Sequence, residues 1–181
     1  MFNLSKNYFE LFGLPVDFIV DGEALAERYR ELQRVVHPDR YANASNQEQR
    51  ISLQQATRIN EAFETLKNPV SRAQYLLSLH GIDMQAEKET TRDTAFLMEQ
   101  LELREALENA RQADDPQAVL DELMDRISAM IRKQVAQMAI HFEEPSSTNL
   151  QAARESVRKM QFLNKLLSEA ESLEAELEDM Y

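Results

Sequence analysis

The stretch VVHPDRYANASNQEQ, residues 35–49, sets a proline and a run of polar residues between two segments of helical periodicity. Upstream, Leu25, Tyr29, Leu32 and Val36 recur at steps of four, three and four, so they share one face of a helix beginning near Asp21 or Gly22. Arg30 and Arg34 fall on the opposite face. Pro38 cannot continue that helix and restrains His37, which predicts an exposed loop through Ala44. Ser45 to Glu48 then fit the S-x-x-E capping box, in which side chains satisfy the first free amides of a helix. The helix that follows carries Leu53, Ala56, Ile59, Ala62, Phe63 and Leu66 as its apolar series.

Outward from this helix–loop–helix, Tyr8 to Phe12 reads as a short helical turn ended by Gly13 and Pro15. On the far side, Asn68 and Pro69 stop the third helix, and a fourth is expected from Ser71 to Leu79 with Gly81 as its C-terminal cap. Residues 81–92 are mostly polar with weak periodicity and read as a connector, which separates a first module, residues 1–80, from a second, residues 93–181. The second module predicts three longer helices: Asp93 to about Ala113, Pro116 to about His141, and about Thr148 to Glu178. Asp115 caps the middle one with Pro116 in its first turn, and the short connections favour antiparallel neighbours in a bundle. The acidic end of the last helix opposes the helix dipole, so fraying is expected there.

Composition agrees with an all-α chain. Of 181 residues only three are glycine and five proline, and 43% are apolar, enough for a core. There is no cysteine, so neither disulfides nor thiolate metal sites can form, and no cofactor is expected. No run of about 18 apolar residues occurs and the N-terminus lacks the pattern of a secretory leader, so a soluble, cytoplasmic protein with no membrane contact is expected. Net charge is −12, but residues 1–80 carry nine basic and ten acidic side chains. Residues 81–181 therefore hold eleven basic against twenty-two acidic ones, a balance that repels phosphate backbones and argues against nucleic acid as a partner.

His37, Pro38 and Asp39 admit three readings: a catalytic or metal-binding cluster, a turn with incidental charges, or a contact surface. A His–Asp pair can act as base and orienter, yet no nucleophile motif or oxyanion site accompanies it. His80 and His141 have no neighbours at metal-ligand spacing, HFEEP at 141–145 is not H-E-x-x-H, and the three glycines are too scattered for a phosphate loop. No catalytic or metal-binding residue is assigned. As three residues alone, HPD reads as a turn between helices.

Context adds to that reading. YREL (29–32), HPDR (37–40), INEAFETLKNP (59–69) and SRAQYLL (71–77) together resemble the J-domain of DnaJ-type co-chaperones, from residue 8 to about 80. The resemblance implies a helical hairpin whose HPD loop stimulates ATP hydrolysis by a DnaK-type chaperone. His37, Pro38, Asp39, Arg30, Arg34 and Arg40 are then the chaperone-contacting residues. The physics suits such a role: proline lowers the ordering cost of docking, Asp39 offers an acceptor to a partner arginine, and a basic helix face meets acidic surface.

The Gly/Phe-rich linker and cysteine-rich module of ordinary DnaJ proteins are absent. Instead YFELFGLP (8–15), RAQYLLSLHG (72–81) and RDTAFLMEQLELREAL (92–107) closely resemble the HscB family, the J-proteins dedicated to bacterial iron–sulfur cluster assembly. That resemblance begins at about Asn7, leaving residues 1–6 outside it. It implies an L-shaped molecule whose C-terminal three-helix bundle binds the cluster scaffold IscU, delivers it to the chaperone HscA and helps to stimulate its ATPase. The implied scaffold-binding positions are Leu97, Met98, Leu101, Glu102, Glu105 and Phe162. A general J-protein serving DnaK and unfolded clients is the alternative within the same class, and a small helical hydrolase using His37 and Asp39 the alternative outside it.

Helical geometry bears on those positions independently. At about 100° per residue, Phe96, Leu103, Leu107 and Ala110 form one narrow stripe, the expected buried face. Leu97, Met98 and Leu101 lie about 100° or more away, beside Glu102, Glu105 and Glu108, and two partner helices can hardly cover both faces. In the last helix Ala153, Val157, Met160, Leu163 and Leu167 form the expected seam, with Phe162 displaced from it by over a quarter turn.

Overall fold

The structure is a computed structural model that describes residues 6–41, 44–84, 91 and 93–179. Residues 85–90 and 92 of the expected connector, and residues 1–5 of the N-terminal extension, lie outside the described residues. Every regular element among the described residues is helical: α1 (Tyr8–Phe12), α2 (Gly22–Val36), a 3₁₀ turn (Pro38–Tyr41), α3 (Asn46–Lys67), α4 (Pro69–Leu79), α5 (Thr94–Ala110), α6 (Pro116–Glu143) and α7 (Ser147–Glu178). The chain divides into two units, Met1–Ile82 and Asp83–Tyr181.

In the N-terminal unit α2 packs along α3. Leu25 and Val36 are buried, and Tyr29 stacks on Phe63 at 4.1 Å between ring centroids while its hydroxyl bonds Asn60 Oδ1 at 3.0 Å. Phe9 and Phe12 of α1 are buried, and Tyr8 stacks on Tyr75 of α4 at 4.4 Å. The Tyr8 backbone N–H also donates to the Tyr75 hydroxyl at 3.0 Å, so the first and last helices of the unit are latched together.

Two sequence expectations need revision here. The fourth helix begins at Pro69, two residues early, because Asn68 ends α3 and also caps α4: its Oδ1 accepts the Val70 N–H at 2.9 Å and the Ser71 N–H at 3.3 Å. Proline has no N–H to satisfy in a first turn and so starts a helix as readily as it stops one. The second revision concerns the buried face of α3, which is Ser52, Gln55, Ile59, Ala62 and Leu66. Steps of four and three counted back from Leu66 land on two polar residues, and Leu53, in the apolar series, is 64% exposed.

Gly81 adopts φ 80° and closes α4 as expected. The Ile82 N–H reaches the Leu77 carbonyl at 2.9 Å and the Gly81 N–H reaches that of Ser78 at 3.0 Å, the paired bonds of a Schellman ending.

The C-terminal unit is a three-helix bundle. Asp93, Asp115 and Ser146 cap α5, α6 and α7 with their side chains. Phe96, Leu103, Leu123, Ile127, Leu163 and Leu166 form one core layer, and Ala110, Leu120, Ala170 and Leu173 the next. The seam of α7 differs from expectation in its second half. From Val157 it advances by threes to Met160, Leu163 and Leu166, so Leu166 is buried and Leu167 only partly so. Each three-residue step turns the seam back by about 60°, which lets α7 face both α5 and α6. The acidic end of α7 remains helical to Glu178, with Arg111 bonded to Glu176 and Gln117 to Glu174.

Candidate functional site: an HPD turn and an uncovered helix face

The first candidate surface lies at the C-terminal end of α2. Pro38 disfavours helical backbone at the residue before it, and His37 accordingly sits at φ −57°, ψ 132°. The chain then tightens into the 3₁₀ turn, where the Arg40 N–H bonds the His37 carbonyl at 3.0 Å. Of the expected loop, residues 38–41 form a short turn, and residues 42 and 43 lie outside the described residues. Arg30, Arg34, His37, Asp39 and Arg40 are all exposed. Arg30 and Arg34 stand one turn apart on α2, and the Arg40 guanidinium reaches the Arg34 carbonyl at 3.3 Å.

His37 Nδ1 accepts the Asp39 backbone N–H at 3.3 Å and lies 3.5 Å from Asp39 Oδ2. A nitrogen that accepts this N–H cannot also direct a proton at the carboxylate, so the two contacts are alternatives. In a His–Asp catalytic pair the carboxylate instead receives the Nδ1 proton and holds the ring as a base. The Asp39 side chain here is 90% exposed and points its charge at solvent. It is placed as an acceptor for an incoming donor.

Two residues that sequence reasoning passed over hold this turn. Ser52 Oγ, buried in α3, donates to the Val36 carbonyl at 2.8 Å, and Gln49 Nε2 lies 3.2 Å from the Tyr41 carbonyl and 3.3 Å from that of Ala44. The available signal was the helical step counted back from Leu66, Ala62 and Ile59, which reaches Ser52.

The second candidate surface is the outer face of α5. Phe96, Leu103 and Ala110 are buried and Leu107 is half-buried, as the helical stripe predicts. Leu97, Met98 and Leu101 are 39%, 58% and 65% exposed. Glu102 and Glu105 are exposed beside them, Glu102 with Arg126 of α6 at 3.4 Å. Phe162 is different. It is half-buried, edge-on to Phe96 at 5.9 Å, with the Arg104 guanidinium 5.5 Å from its ring centre. It belongs to the rim of the core as much as to the outer face.

The start of α5 is fixed by charge. Asp93 accepts from Lys159 Nζ at 2.5 Å and from the Phe96 N–H at 3.1 Å. The lysine bond first, and the backbone bonds after it, hold its carboxyl below the ordinary aspartate range. A cleft of about 390 Å³ opens beside it, lined by Met98, Glu99, Glu102, Met130, Lys133 and Gln137 among others. Among the described residues no three His, Asp or Glu side chains converge as metal ligands, and no helix is long and apolar enough to cross a membrane.

Comparison with known proteins assigns both units. A family model described as DnaJ domain matches residues 7–75, and one described as HSCB C-terminal oligomerisation domain matches residues 92–171. The co-chaperone protein HscB homolog of Shewanella halifaxensis is 47% identical over 174 residues, 96% of this chain and 99% of that protein. Among solved structures, chaperone HscB from Vibrio cholerae aligns with a TM-score of 0.85 at 43% identity, covering 95% of this chain and 99% of that one. The human co-chaperone protein HscB aligns with a TM-score of 0.84 at 30% identity, covering 95% of this chain and 84% of that one. A J-domain implies a DnaK-type chaperone as partner, and the family is one of co-chaperones rather than catalysts. The chain belongs to the HscB family of J-domain co-chaperones.

Proposed function

We propose that this chain binds the iron–sulfur scaffold protein IscU, delivers it to the DnaK-type chaperone HscA and stimulates that chaperone's ATPase in cluster assembly and transfer. Residues 1–80 act as the J-domain and residues 93–181 as the scaffold-binding domain. His37, Pro38, Asp39 and Arg40 with Arg30 and Arg34 contact the chaperone. Leu97, Met98, Leu101, Glu102 and Glu105 contact the scaffold, with Phe162 at the edge of that contact.

The observation that carries the reading is the second apolar face of α5. Leu97, Met98 and Leu101 stay exposed although the bundle already buries Phe96, Leu103 and Ala110 of the same helix. Apolar side chains interspersed with glutamates suit a partner of mixed polarity. Lacking cysteine, the chain handles the scaffold without thiolate ligation of its cluster.

The test is a calorimetric titration of IscU into the wild-type protein and into a Leu97→Ala, Met98→Ala, Leu101→Ala triple variant. Saturable binding that the triple substitution weakens supports the reading. Equal affinity for both proteins, with the helical spectrum of the variant unchanged, overturns the assigned face.

A further inference from the structure

The HPD turn is held from outside itself, and the holding groups sit on α3. α2 ends at Val36, whose carbonyl is among the last four of the helix and has no intrahelical partner. The N–H that would continue the ladder, that of Arg40, bonds the His37 carbonyl instead. Val36 is fully buried, so water is poorly placed to satisfy that oxygen. Ser52, 3% exposed, supplies the missing donor at 2.8 Å. Beyond the turn, the Gln49 amide reaches the carbonyls of Tyr41 and Ala44. One α3 side chain thus fixes the residue before His37, and another, three positions away on the same helix, fixes the chain after Arg40.

We propose that Ser52 and Gln49 are positioning residues for the HPD turn: they touch no partner in docking but hold the backbone of residues 36–41 in the conformation that a DnaK-type chaperone engages. This rests on the J-domain reading of the turn. Binding of an ordered turn avoids the entropy of ordering it, so loss of the clamp weakens engagement without altering what the engaged complex does. In a steady-state ATPase assay the half-saturating concentration rises and the maximal stimulation is kept.

The experiment uses the full chain with HscA, comparing wild type with Ser52→Ala, Gln49→Ala and Ser52→Thr. Amide hydrogen exchange of the free proteins is followed in parallel at Arg40, whose N–H closes the 3₁₀ turn. Ser52→Ala is expected to raise the half-saturating concentration about fivefold, the equivalent of one hydrogen bond of ~1 kcal/mol. It is also expected to speed exchange at Arg40, with maximal stimulation unchanged. Gln49→Ala acts in the same direction. Ser52→Thr keeps the hydroxyl that donates to the Val36 carbonyl, so it keeps both values near wild type.

Unchanged exchange in Ser52→Ala overturns the clamp. Faster exchange with an unchanged half-saturating concentration overturns the positioning role, as does a fall in maximal stimulation alone. Exchange is read without any partner. If the wild-type protein fails to stimulate HscA, the functional reading fails, and the clamp is still decided by exchange.

Discussion

The two candidate surfaces are built by opposite means. At the HPD turn a few residues present a backbone conformation fixed by proline, a 3₁₀ hydrogen bond and two side chains from a neighbouring helix. On α5 the backbone is an ordinary helix, and the surface consists of side chains left over once the core stripe is filled. A surface defined by conformation concentrates its effect in one or two residues. A surface defined by area distributes it, so single substitutions there are graded. That contrast can be broken experimentally.

The largest effect is expected from Asp39→Ala. Its carboxylate is 90% exposed, so the fold does not depend on it, yet it is the charged acceptor of the turn. ATPase stimulation of HscA should be lost while IscU binding, followed by calorimetry, is retained. Undiminished stimulation would remove the turn from the mechanism. Next comes the triple alanine variant at Leu97, Met98 and Leu101. Scaffold affinity should fall about 30-fold, the equivalent of one hot spot of ~2 kcal/mol, with each single substitution giving a fraction of that. A single substitution as severe as the triple would show that this face also depends on one anchor.

A third comparison lies within α5. Leu103 is fully buried and Leu101 is 65% exposed, two residues apart on one helix. Leu103→Ala should cost about 2–5 kcal/mol in urea unfolding, because it opens a cavity in the core layer with Ile127 and Leu163. Leu101→Ala should stay within about 0.5 kcal/mol while still weakening IscU binding.

The smallest effect is a pH dependence. The folded state holds the Asp93 carboxyl below its ordinary range, so its contribution is complete above the unfolded value and is lost as pH falls through the folded one. Helicity at the start of α5 should therefore decline only below the ordinary aspartate range, earlier in Lys159→Met than in wild type. Circular dichroism across an acid titration would show it, and identical titrations would deny the lysine bond that role.

Much of this was legible in the sequence because local chemistry and global fold agree. Asn7, Asp21, Ser45, Asp93, Asp115 and Ser146 all cap helices through their side chains, and all six of these helices start within a residue or so of where the sequence places them. The two-sided character of α5 was legible for the same reason, as angular position on a helix is fixed by sequence number. Three features were not. Asn68 and Pro69 read equally as a stop and as a start, and the Asn68 side chain, capping the next helix, makes them both. The turn in the α7 seam depends on which neighbours it meets. Ser52 and Gln55 were hidden because their polarity placed them outside the apolar series, although the helical step counted from Leu66 reaches both. For the last two, partners far away in the chain decided the positions.

The aromatic latch between Tyr8 and Tyr75 has a consequence for how the protein is made. Its two ends are 67 residues apart, so a ribosome adding about 5–20 residues per second needs roughly 3–13 s to bring the second after the first. For that interval Tyr8 and Phe9 lack Tyr75, the ring on which they stack. His37, Pro38 and Asp39, and the α3 residues Gln49 and Ser52 beside them, are all translated before the latch can shut. The N-terminal unit can thus close only once residue 75 has been made.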